Sequence, residues 1–334
     1  MTIRCNHLYV AMRCIAAALA FTLLPLSVNA QGVGIVRLTT TGDQQVPVAI
    51  WYPSPAPTTD WDAGPYRLHA TRDAPPAAGR HALIVLSHGS GGSELGHADL
   101  AEALARAGYI IAAPRHLGDS FDAPQGRGSD VQLTGRPWQA VATLDAVLAD
   151  ARFAPLIDAK RIGMAGFSAG GYTTLVMAGA HPDLSLHVAH CRAHPEDAEL
   201  CFAAAQTTLG VTRPGWALPH DTRVRAAVAM APLSVMFDAK GLSDVRIPLR
   251  VVKAADDQLL QNRFNTDPLL RALPGAVEAA EVPGGHYVFL APCSDAIKAA
   301  APVICTDPPG VDRVQVHARL NADIVDFFNR SLPP

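Results

Sequence analysis

Residues 161–174 read RIGMAGFSAGGYTT. The stretch begins as an apolar strand and continues as a helix. Gly166-Phe167-Ser168-Ala169-Gly170 joins the two and fits G-x-S-x-G, the pattern of a serine held on a sharp strand-to-helix turn. So tight a turn forces the serine backbone into an unusual conformation and requires small neighbours. Gly166 and Gly170 let strand and helix pack closely. The helix N-terminus beyond Ser168 offers free N–H groups and a positive dipole end to a developing anion. Five letters alone are weak, because chance produces them in about one chain in twelve of this composition. The order of the surrounding elements decides what the turn is for.

Upstream, GIVRLTT (34–40) and VPVAIWYP (46–53) flank the turn signal TGDQQ and read as an antiparallel hairpin. WYPSPAPTTDWDAGPY (51–66) is proline-rich and reads as irregular. From there strand and helix alternate. ALIVLSH (82–88) is a continuous apolar strand of the kind buried on both faces, and ADLAEALARAGY (98–109) is an amphipathic helix. IIAAP, RIGMAG, RAAVAMA, LRVVKAA and AVEAAEV read as strands, with helices at RPWQAVATLDAVLADA and GYTTLVMAGA. The last helix, VQVHARLNADIVDFF (314–328), is expected to bury Val314, Leu320, Ile324 and Phe327. Alternation of this kind predicts an α/β fold: a mostly parallel central sheet, helices on both faces, and the antiparallel hairpin at its N-terminal side. Residues 31–334 read as one domain with an insertion at about 183–222, rich in His, Pro and Cys, which would suit a cap.

A serine needs a base, and the base an orienting carboxylate. VVKAADDQLL (251–260) places Asp256 and Asp257 just past a strand, and VPGGHYVF (282–289) places His286 in a loop past another. Both loops lie at strand C-terminal ends, where open α/β sheets place their chemistry. The spacing favours Asp257 as the acid and leaves Asp256 as the alternative. LIVLSHGSGG (83–92) ends a buried strand in a glycine-rich loop that can offer a second N–H to an oxyanion. The backbone N–H groups of Ser90 and Ala169 are the candidate donors, with Gly91 as alternative for the first. His88 would shape this loop by hydrogen bonding.

The N-terminal 30 residues carry Arg4 and Arg13, no acidic residue, the apolar run IAAALAFTLLPL and small residues at Val28 and Ala30. That is the pattern of a secretory signal peptide cleaved after about Ala30. The apolar run is too short to span a bilayer easily and is interrupted by Pro25. Loss of the two arginines takes the formal net charge from −3 to −5, and no basic run is present, which argues against nucleic acid as a partner. Four cysteines remain in two local pairs. An even count in an exported chain favours the disulfides Cys191–Cys201 and Cys293–Cys305, each worth up to about 3 kcal/mol in the chain-entropy model.

With these residues in view, the chain resembles the α/β-hydrolase superfamily, and within it bacterial exported predicted dienelactone hydrolases similar to platelet-activating-factor acetylhydrolase. The matching stretches are WYP, LIVLSHGSGG, GFSAGGYT, AMAPL, KAADDQLL, VPGGHYVFLAPCS and ICTDPPGVDR, spread over most of 46–334. The resemblance implies a Ser168–His286–Asp257 triad, oxyanion donors at Ser90 and Ala169, and hydrolysis of small-molecule or lipid-like carboxylic esters without cofactor or metal. The same machinery serves peptidases and thioesterases. Dienelactone hydrolases proper carry cysteine where this chain has Ser168.

Two readings from other classes compete. HVAHCRAH (187–194) offers His187, His190, Cys191 and His194 to a metal, in a spacing that matches no standard zinc site. A catalytically silent binding protein on the same fold is the other. Trp61 and Tyr66 are expected to pack their own loop rather than line the substrate pocket.

Overall fold

The computed structural model describes residues 32–334 apart from 43, 199, 202–216 and 276. The expected signal segment, residues 1–30, lies outside them, as does much of the insertion. The apolar runs form a nine-stranded sheet. Its middle is β6 (His81–Ser87), flanked by β7 (Ile110–Pro114) on one side and β8 (Ile157–Phe167) on the other. β9 (Val224–Met230), β10 (Leu249–Ala254) and β11 (Glu278–Val282) follow outward from β8, all parallel. Beyond β7 lies the expected hairpin of β2 (Pro47–Ser54) and β1 (Gly32–Thr39). β2 runs antiparallel to both neighbours, and the two-residue β5 (Thr71–Arg72) closes that edge.

Why the central strands read as unbroken apolar runs is visible in β6. Leu83 and Val85 face one side, with Ile110, Ile162 and Met164 beside them. Ile84 and Leu86 face the other, with Ile111 and Val228. Side chains alternate with period two, so only helices on both faces can bury such a strand. α1 (Ala98–Arg106) and the C-terminal helix Arg313–Ser331 cover one face through Leu100, Leu104, Ile324 and Phe327. α2 (Arg136–Ala149) covers the other over β6 to β8, and α3 (Ala169–Met177) covers it over β9 and β10.

Two expectations change. Val314 is 63% exposed, and Val316 takes the buried place. At about 100° per residue, position 314 lies well off the stripe of Leu320 and Ile324, whereas 316 is one turn before Leu320. The proline-rich stretch holds a small hairpin of its own, β3 (Asp60–Ala63) against β4 (Tyr66–His69), turning at Gly64 with φ +60°. Prolines flank this pair of strands without interrupting either, so composition hid it.

Candidate active site

The loops after β6, β8, β10 and β11 meet at the C-terminal end of the sheet. Ser168 stands between β8 and α3 with φ 56° and ψ −117°. A β-carbon is strained in that region, and the surroundings must hold it there. They do so through the backbone: Ser168 N–H donates to the Met230 carbonyl at 2.9 Å, and its own carbonyl accepts from Tyr172 and Leu233. The two motif glycines are required by contact. A β-carbon on Gly166 would lie 2.2 Å from the Gly170 carbonyl oxygen, and one on Gly170 would lie 2.0 Å from that of Ser87. The second contact brings the β6 loop beside the start of α3.

His286 opens the short 3-10 turn His286–Phe289 that follows β11. Its Nε2 lies 3.0 Å from Ser168 Oγ and its Nδ1 lies 2.7 Å from Asp257 Oδ2. The carboxylate can only accept, so Nδ1 carries the proton and Nε2 is left to accept from the serine hydroxyl. Asp257 is aimed by its other oxygen, which accepts the N–H groups of Leu259 and Leu260 at 3.0 and 2.8 Å. Serine, histidine and aspartate are each no more than 9% exposed. Asp256 is exposed, its N–H engaged with the Gly284 carbonyl. Of the two aspartates, Asp257 is the partner of His286. Phe167 supports the imidazole from one side, the ring centroids 4.7 Å apart.

The β6 loop is held from beneath by a polar network. His88 shapes it as expected: its Nε2 accepts from the His116 N–H and its Nδ1 donates to the Gly89 carbonyl. Burial, aided by the Arg136 charge, holds the pKa values of His88 and His116 well below the usual histidine range, so both rings stay neutral. Asp119 accepts from Ser90 Oγ at 2.6 Å, from Gln132 at 2.9 Å and from Arg136 at 2.5 Å. Arg136 also donates to the His88 carbonyl, and both members of the Arg136–Asp119 pair are fully buried. The alternative donor, the Gly91 N–H, is taken by the Asp119 carbonyl at 3.3 Å. Sequence reasoning missed Asp119, Gln132 and Arg136. One signal was present: PRHLGDS is a polar cluster just past a buried strand.

Ser168 opens onto a cavity of about 750 Å³ that Ser90, Ala169 and His286 also line. Its wall is largely apolar, with Leu133, Met236, Leu260, Leu290, Ile297 and Ile304. Both expected disulfides are formed, and each staples a wall. Cys293–Cys305 brackets the short helices that bear Ile297 and Ile304, and Cys191–Cys201 ties the helix Leu184–Ala193 to Leu200, another lining residue. Tyr66 also lines the cavity, against the expectation that it only packs, while its hydroxyl accepts from Ser93. Trp61 does pack: its Nε1 donates to the Ala70 carbonyl and the Arg72 guanidinium lies 3.5 Å over its ring.

The side chains of the histidine cluster have other partners. Cys191 is consumed by its disulfide, His190 pairs with Asp197 at 2.9 Å, and His187 faces the Leu200 carbonyl. Among the described residues no group of three or more His, Cys, Asp or Glu side chains could hold an ion, and no helix is long and apolar enough to cross a membrane.

No family model matches the sequence, and no curated protein is significantly similar to it. Among solved structures the chain is similar to a ferulic acid esterase from Streptomyces cinnamoneus, with a TM-score of 0.60 and 21% identity over 93% of this chain and 92% of that one. The likeness extends over almost the whole of both chains and establishes the α/β-hydrolase fold. At that identity it speaks to the fold alone.

Proposed function

We propose that this protein is an exported serine hydrolase that cleaves carboxylic esters. The observation that carries the reading is the continuous relay from Ser168 Oγ to His286 to Asp257, opening onto an apolar cavity. In the proposed mechanism Nε2 of His286 takes the Ser168 proton as the serine oxygen attacks the ester carbonyl. Asp257 holds the ring in the correct tautomer and stabilises the imidazolium. The developing oxyanion is received by the N–H groups of Ser90 and Ala169, the latter at the positive end of α3. The imidazolium then protonates the leaving alcohol. Water, activated by the same histidine, releases the acyl group. No step calls for a metal or cofactor.

The cavity's apolar wall favours an ester with an apolar acyl or aryl group, of a size that about 750 Å³ can enclose. A fold neighbour that acts as a ferulic acid esterase agrees with ester hydrolysis, as does the resemblance to dienelactone hydrolases and to platelet-activating-factor acetylhydrolase. Export is supported by the N-terminal signal pattern and by two disulfides, which persist in oxidising compartments. In this reading residues 31–334 form one catalytic domain, and the insertion at about 183–222 caps the cavity, since His187 and Leu200 already line it.

A panel of nitrophenyl esters of increasing acyl length tests the proposal on wild type and Ser168→Ala. We expect hydrolysis by wild type with a preference for medium or aromatic acyl groups, and a loss of about 10³-fold or more in kcat for the variant. Equal rates for both proteins would refute it. Faster turnover of matched amides or thioesters would move the substrate class while leaving the triad in place.

A further inference from the structure

The turn that bears His286 is gripped from behind by two histidines outside the relay. The turn runs His286–Phe289. His97, which caps α1, directs Nδ1 at the Phe289 carbonyl from 3.0 Å. His317, on the C-terminal helix, places Nε2 2.7 Å from the Val288 carbonyl and Nδ1 2.6 Å from Asp99 Oδ2. Asn321, one helical turn further on, donates to the same carboxylate oxygen at 2.7 Å.

The chemistry of these partners fixes the protons. A carbonyl and a carboxylate only accept, so both ring nitrogens of His317 carry hydrogen and the ring is an imidazolium. The ring is 4% exposed, a place where a charge needs a counter-charge. Asp99 supplies it. Burial works against the charge on His317, but the hydrogen bond and charge of Asp99, with help from the Val288 carbonyl, hold its pKa above the usual value. The other ionisable groups facing it are Arg313, which opposes its charge, and His97. Burial pushes the His97 pKa down to about 4, so that ring is neutral and grips through one proton.

We propose that His317 is a positioning residue for His286: clamped as an imidazolium by Asp99, it holds the Val288 carbonyl and, together with His97 on Phe289, fixes the turn on which His286 stands. The inference rests on the reading of His286 as the general base. It makes catalysis depend on a second histidine with the opposite pH logic. His286 must be neutral to accept the serine proton. His317 must be charged to grip both acceptors, which sets an alkaline side. When His317 loses a proton, one ring nitrogen faces an oxygen lone pair with its own lone pair, and one clamp opens. Its folded pKa is raised, so the clamp is intact below that pKa and is lost as pH rises through it.

The test combines kinetics with ring NMR of His286 and His317 in the full mature protein, in wild type, His317→Gln and Asp99→Asn. Glutamine cannot titrate. For His317→Gln we expect kcat to fall about tenfold at neutral pH with KM within about twofold, and the alkaline limb to vanish. Asp99→Asn removes the counter-charge. The alkaline limb and the His317 titration should then both move to lower pH by at least about one unit. The His286 ring signals should shift in both variants, a readout that survives if wild type shows no esterase activity and only the functional reading fails. Should His317→Gln fail to fold, Asp99→Asn carries the test alone. Unchanged pH profiles together with unchanged His286 signals, at whatever cost in melting temperature, would overturn the proposal.

Discussion

At the scale of single residues, the two neighbouring aspartates show what one step along the chain can decide. Both lie in KAADDQLL, and strand-end spacing favoured Asp257 without excluding Asp256. Both lie past the end of β10, in a turn that leaves Asp256 exposed and buries Asp257 beside the imidazole. Asp257 meets the ring at 2.7 Å, with its second oxygen anchored by two backbone N–H groups. Replacement with asparagine should therefore be asymmetric. Asp257→Asn keeps the shape but offers an amide that can impose the wrong tautomer on His286, and kcat should fall by about 10³–10⁴. Asp256→Asn should stay within about twofold of wild type. Steady-state kinetics on one nitrophenyl ester checks both, and a larger loss at Asp256 would reverse the roles. The glycines work at the same scale. Gly166 and Gly170 were legible as small residues beside a strained serine, but the atoms they make room for, the carbonyls of Gly170 and Ser87, belong to a contact between separate segments.

At the scale of elements, the strands and helices were legible because burial on both faces leaves β7 without a polar residue and confines those of β6 and β9 to positions at or next to the strand ends. The walls of the cavity were less so. Residues 293–305 read as a cysteine pair and little more, yet the disulfide closes two short helices that carry Ile297, Ala300 and Ile304 onto the cavity. Helices of six and four residues are not stable by themselves, and the bond supplies the constraint their length cannot. The paired substitution Cys293→Ser, Cys305→Ser should lower stability by about 3 kcal/mol in urea unfolding. It should also narrow the spread of kcat/KM across an acyl-length series severalfold, because a slackened wall discriminates less. An unchanged acyl preference would detach this wall from specificity. The buried pair Arg136–Asp119 is the element-level feature that only the polar cluster PRHLGDS hinted at. RPWQ opens a helix well enough, but nothing in it tells that the arginine turns inward to a carboxylate seventeen residues earlier and braces the Ser90 loop.

At the scale of the whole molecule, histidine protonation couples the site to folding. His88, His97 and His116 are buried neutral, their pKa values lowered chiefly by burial, that of His97 to about 4. In the unfolded chain each would titrate near about 6.5. Between those limits the unfolded state binds more protons, so stability is present above about pH 6.5 and drains away as pH falls toward 4. His317 acts in the opposite sense, since its raised pKa gives stability that is lost only as pH rises. Three groups against one predict a urea midpoint that declines steadily below about pH 6.5. A series of urea titrations from pH 7.5 to 4.5 measures it. A midpoint flat over that range would mean these rings are not held neutral in the native protein. All four histidines lie under or behind the loops that form the site, so acid should disarrange the site as it unfolds the chain.

The sequence by itself determined the alternation of strand and helix, the tight turn at Ser168, the order serine, aspartate, histidine, and the pairing of the four cysteines. These are local or near-local properties: apolar period, turn chemistry and short spacings survive in one dimension. Only the tertiary structure decided which aspartate meets the imidazole, which residues brace the Ser90 loop, and which histidines hold the His286 turn. Those contacts join residues 17 to about 220 positions apart, such as Arg136 to Asp119 and His317 to Asp99. Hydrogen bonds depend on distance and direction in space, and the partners of a polar side chain are set only once packing of the apolar core has placed the segments side by side.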